Sequence, residues 1–94
     1  MGVCRCAYPV TRLQRTYVWM LEDALRGDWE SAEKLLPSAE AVIRDIESCL
    51  NRELRDLRAD HESVSKRLKE RDLEMLLHDL EEAISRTVFE ACGV

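Results

Sequence analysis

Apolar positions along this chain recur at spacings of three and four, the period of one helix face. Leu13, Tyr17, Met20 and Ala24 are separated by four, three and four positions and draw a single stripe. Thr11 is placed to cap that helix, and Gly27 to end it, because glycine accepts the left-handed conformation that a helix C-terminus often needs. Asp28 follows at once as an N-cap, with Glu30 and Glu33 in the first turns where the helix dipole favours acids. A joint as short as Gly27-Asp28 makes the flanking helices antiparallel neighbours. The second helix carries Trp29, Ala32, Leu36, Ala39, Ile43, Ile46 and Leu50. Pro37 lies inside it. The apolar phase runs through the proline unchanged, which predicts a kink rather than a split with Ser38 as a new cap.

From Leu50 the stripe continues through Leu54, Leu57, His61, Val64 and Leu68, then shifts and resumes as Leu73, Leu76, Leu77, Leu80, Ile84, Val88 and Ala91. No Gly or Pro interrupts the chain between Ser38 and Cys92. One helix over that stretch would be roughly 80 Å long, and it would have to dimerise to cover its apolar side. A turn inside the polar stretch Arg58 to Ser65, with Asp60 or Ser63 as a cap, is the economical alternative. The fold class is therefore all-α, expected as a three-helix antiparallel bundle. A long helical hairpin, in the extreme a dimeric coiled coil, is the second choice. Residues 1–10, ended by Pro9, read as a flexible N-terminal tail, and residues 11–92 as the helical domain.

Composition narrows the function more than the fold. Hydrophobic residues make up 46% of 94, enough for one helical core. The net charge of −5 argues against a nucleic-acid binder and against docking on an anionic membrane. No apolar run approaches the ~20 residues of a membrane span, and the first ten lack the basic-then-apolar order of a secretory signal. The expected location is the cytoplasm. Four cysteines are then expected as reduced thiols, because Cys4 and Cys6 are too close to bridge each other and Cys49 and Cys92 sit inside helical patterns. The expected fold needs neither disulfide nor metal.

Candidate chemistry is sparse. Cys4-x-Cys6 is not the Cys-x2-Cys spacing of zinc sites, and Cys49, His61, His78 and Cys92 are scattered. A di-iron bundle needs Glu-x-x-His twice, whereas this chain has Glu74-x-x-x-His78 once. His78 points away from the last stripe and reads as exposed. His61 is a turn or half-buried residue, and its neighbours Asp60 and Glu62 favour the turn. Glu30–Lys34 and Glu40–Arg44 are spaced as helix-face ion pairs. No phosphate-cradling glycine loop or nucleophile elbow occurs. The expectation is a protein that is not an enzyme and takes no cofactor.

The sharpest local signal is apolar excess on the first helix. Val18, Leu21 and Leu25 widen its stripe on one flank, and Trp19 points nearly opposite. Surfaces of this kind serve a partner, and a tryptophan anchors one well. Val18, Trp19, Leu25, Met75 and Phe89 are the candidate partner-binding residues. They are expected to receive the amphipathic helix of a client protein.

The stretch Leu25-Arg26-Gly27-Asp28-Trp29-Glu30-Ser31-Ala32-Glu33-Lys34-Leu35-Leu36 resembles the first helical joint of flagellar export chaperones of the FliT and FlgN type. Arg67-Leu68-Lys69-Glu70-Arg71-Asp72-Leu73-Glu74 resembles a later run in that group. The group's usual Arg-Glu pair after the joint is Ala39-Glu40 here. The resemblance implies a cytoplasmic helical chaperone that binds the C-terminal helix of a filament-cap or hook-associated protein and delivers it to a type III export apparatus. The alternatives are a coiled-coil homodimer acting as an assembly adaptor, or a small phage-type inhibitor of host machinery.

Overall fold

A computed structural model describes residues 4–93. The described residues are all-helical, with five helices: α1 (Ala7–Leu25), α2 (Trp29–Lys34), α3 (Leu36–Leu50), α4 (Arg55–Glu70) and α5 (Leu73–Cys92). α1 packs against α3 on one side and α5 on the other, α4 packs chiefly against α5, and the single short turn of α2 bridges α1 to α4.

The first joint forms as its residues dictate. Gly27 takes φ 80, and the Asp28 carboxylate accepts from the Ser31 N–H at 3.1 Å, capping α2. The first helix, however, starts earlier than Thr11. Its first turn includes Pro9, which the start of a helix tolerates, and Val10 is buried. Residues 7–10 of the expected tail are thus helical; residues 1–3 lie outside the described part. Thr11 is no cap either: its hydroxyl donates to the Ala7 carbonyl one turn back.

Two further expectations fail at helix boundaries. Pro37 does not kink one helix but opens another. α2 ends at Lys34, Leu35 occupies the gap, and Pro37 sits in the first turn of α3, where its missing N–H leaves no bond unmade. The turn expected at 58–65 lies instead in the middle of α4. The breaks fall at Asn51 to Leu54 and at Arg71-Asp72, which divides the expected three helices or long hairpin into α3, α4 and α5. Asn51 (φ 57) and Arg71 (φ 55) make the left-handed closures, and the Asp72 carboxylate caps α5 by accepting from the Met75 N–H.

The core runs along the axis. Leu13, Tyr17, Met20 and Ala24 from α1 meet Ala39, Val42, Ile43 and Ile46 from α3, with Leu57, Val64 and Leu68 from α4 and Leu76, Leu80 and Ala83 from α5. Its polar members make hydrogen bonds, His61 through one ring nitrogen only. The hydroxyls of Thr16 and Thr87 donate to carbonyls four residues back, and the Tyr17 hydroxyl meets His61 Nδ1 at 2.9 Å. His61 is therefore a core residue, 5% exposed, rather than a turn residue. The expected pairs Glu30–Lys34 and Glu40–Arg44 do not form among the described residues. The charges instead tie helices together: Arg58 to Glu47, Arg67 to Asp79, and Arg86 to Asp60 and Asp56.

The cysteines depart most from expectation. Cys4 is bonded to Cys92 and Cys6 to Cys49, with Cα–Cα distances of 4.2 and 6.0 Å, and no free thiol remains among the described residues. Spacing along the chain excludes a Cys4–Cys6 bridge and puts Cys49 and Cys92 in helices, but it does not show that these helix starts and ends meet at one end of the bundle. The cytoplasmic expectation loses the reduced thiols that formed part of its basis. No helix among the described residues is long and apolar enough to cross a membrane.

Candidate partner-binding surface

The two ion-pair systems fix which edge of each helix faces which neighbour. On α1, Arg12 pairs with Asp45 of α3, so the Arg12 edge is turned to α3. At about 100° per residue, Gln14, Val18, Leu21 and Leu25 lie on the opposite edge, beside α5. On α5, Asp79 and Arg86 pair with Arg67 and Asp60 of α4, so that edge is turned to α4. Leu73, Leu77, Ile84 and Val88 lie on the opposite edge, beside α1. The two helices are antiparallel, since the Arg5 N–H donates to the Ala91 carbonyl and Cys4 is bonded to Cys92. The Leu25 end of α1 therefore runs beside the Leu73 end of α5.

Two apolar edges thus border one seam. Val18 and Leu25 are 48% and 63% exposed, Leu73 and Leu77 37% and 46%. Leu21 and Ile84 are half-buried and pack on the core between them. Large aliphatic side chains this exposed on both banks of one groove form a surface that binding would remove from water. Glu22 on α1, with Glu74 and Glu81 on α5, are exposed and stand outside the apolar residues on their helices, which gives the seam an acidic rim.

The five residues singled out from sequence are all exposed, but they do not share a face. Val18 and Leu25 belong to the seam. Trp19, half exposed, lies on the α3 edge of α1 near Arg12. Met75 lies on the α4 edge of α5, and Phe89 points outward from it. The apolar spacing puts Leu73 and Leu77 in the core stripe of the last helix, which hides them as surface residues. The actual stripe is Leu76, Leu80, Ala83, Thr87 and Ala91. The small Ala83 and the hydroxyl of Thr87 carry too little apolar signal to compete with the leucines beside them.

A concavity of about 500 Å³ lies elsewhere, between α3 and α4, lined by Glu40, Arg44, Glu53, Arg55, Arg58 and His61. Its charges largely cancel, and Arg58 is already held by Glu47, a contact that lowers the Glu47 carboxyl below the usual range. His61 Nε2 is buried there with no hydrogen bond, 3.8 Å from a Glu40 carboxylate oxygen. Burial lowers the His61 pKa and outweighs the opposing pull of Glu40 and Glu62, so the imidazole is neutral near pH 7. His78 is exposed, as its phase requires. Among the described residues no three His, Cys, Asp or Glu side chains gather as metal ligands. No protein-family model, no curated protein and no solved structure matches this chain, so the likeness to flagellar export chaperones stands on residues 25–36 and 67–74.

Proposed function

We propose that this chain is a non-enzymatic protein-binding bundle that captures an amphipathic helix of a partner along the α1/α5 seam. The observation that carries the reading is the convergence of Val18, Leu25, Leu73 and Leu77 on one antiparallel groove, when a helix of this size has ample core positions for such residues. A client helix would lay leucine-like side chains at i, i+3, i+4 and i+7 into the seam and set basic residues against Glu22, Glu74 and Glu81. In the narrower form implied by the chaperone resemblance, the client is the terminal helix of an exported flagellar-type protein and the setting is the cytoplasm.

The test is capture of a partner by the intact chain from extracts of its own host, repeated with Leu77→Glu and Val18→Glu. Both variants should keep the helical content and unfolding midpoint of the parent and lose the partner by about 2 kcal/mol or more. Retention of the partner by both would remove the seam from consideration. The adaptor reading makes a different prediction, a stable homodimer.

A further inference from the structure

We propose that the four cysteines are a maturation site: oxidation into the pairs Cys4–Cys92 and Cys6–Cys49 locks the open end of the bundle, and the working form of the chain is the oxidised one. Three helix termini meet there. α1 begins without a side-chain cap, after Cys6 in a left-handed conformation (φ 60), and without an acid in its first turn. α3 ends one residue past Cys49, and α5 ends at Cys92 itself. A helix start lacking both cap and favourable charge frays readily. Among the described residues the non-covalent ties at this end are the Arg5 N–H to the Ala91 carbonyl, Arg52 to the Glu90 carboxylate and carbonyl, and the burial of Val10 and Ala91, with Leu50 packed against the core. The bridges span 88 and 43 residues, so they join segments that lie far apart along the chain.

Each pair forms by thiol–disulfide exchange with a disulfide-bearing oxidant. One cysteine thiolate attacks the oxidant's disulfide to give a mixed disulfide. The second cysteine of the pair, deprotonated, attacks the protein sulfur of that link. The oxidant leaves as a dithiol, carrying the two electrons and taking up the two protons that the cysteines lost. Two such steps complete the chain. The inference points to an oxidising compartment, and so away from the cytoplasmic setting of the narrower chaperone reading. It is independent of the partner surface, since the seam's Leu25–Leu73 end lies at the far end of the bundle.

The experiment equilibrates the reduced full chain with oxidised glutathione, blocks remaining thiols by alkylation, and maps linked peptides by mass spectrometry. The expected result is a mass lower by four hydrogens with Cys4–Cys92 and Cys6–Cys49 linked. Reduction should lower the unfolding midpoint by about 10 °C. It should also speed amide exchange more than about tenfold over residues 5–11 while the centre of α5 stays protected. Persistent free thiols, Cys4–Cys6 and Cys49–Cys92 pairing, or an unchanged midpoint and exchange pattern on reduction would each overturn the proposal. Because the reduced parent is itself the comparison, no cysteine variant needs to fold.

Discussion

At the residue scale the most consequential contact is the one between Tyr17 and His61. The phenol is pushed well above its ordinary pKa, by burial first and by Asp60 second, so it stays protonated and can donate to His61 Nδ1. The charges acting on the imidazole are Glu40 from α3 and Arg58 and Glu62 from its own helix. The folded pKa lies below the unfolded value of about 6.5, so between the two the unfolded chain binds more protons. The stability contributed by neutral His61 is thus complete above about pH 6.5 and is lost as pH falls through the folded pKa. Urea unfolding from pH 7.5 down to 5.5 should show stability falling toward acid in the parent and a flatter profile in His61→Leu. An equal slope in both would place the titration elsewhere. Tyr17→Phe should cost about 1–2 kcal/mol, because it strips the only partner from a buried ring nitrogen. Trp19→Ala should cost well under the ~3–5 kcal/mol of a core tryptophan, since half the side chain is exposed and it lies on neither bank of the seam. His61 was legible as a member of the Leu57–Val64 stripe. Its acidic neighbours obscured it, because polarity along the sequence says little about direction around a helix.

At the element scale, legibility followed glycine and proline. The Gly27-Asp28 joint was readable because both residues act through backbone rules that hold anywhere. The break at Arg71 was not, because arginine in the left-handed region is rare and carries no sequence warning, whereas Asn51, of a type that often closes helices this way, is a signal outside glycine and proline. Asp72, three residues before Met75, was the available signal, an N-cap that a search for glycine and proline passes over. These two closures predict opposite responses. Arg71→Gly should stabilise by about 0.5–1 kcal/mol, since the left-handed conformation costs glycine nothing sterically. Gly27→Val should destabilise by about 1–2 kcal/mol through φ alone, since a Cβ there meets nothing within 4 Å. Chemical denaturation reads both. A loss from Arg71→Gly would mean that its side chain contributes more at this joint than the backbone strain it carries.

At the scale of the whole molecule, the hidden leucines have their origin in the packing of α5. The stripe of α5 is offset from its most apolar residues. A sequence reading therefore buries Leu73 and Leu77, while the fold, held by Ala83 and Thr87 in the core and by Arg67 and Arg86 pairing across α4 and α5, leaves them outside. What the sequence counted as core became surface, and that surplus is the seam. The same geometry argues against an elongated dimer. The principal extents are 41 × 21 × 20 Å and the Cα radius of gyration is 12.8 Å, close to the ~12 Å of a compact chain of this length. A single helix from Ser38 to Ala91 would alone be roughly 80 Å long. Without its partner, the oxidised chain should sediment and scatter as a 10.9 kDa monomer of these proportions. Any self-association at high concentration should run through the seam and disappear in Leu77→Glu. A stable dimer at micromolar concentration that survives Leu77→Glu would transfer the argument to the adaptor reading, because the molecule would then have an interface that neither bank of the seam supplies.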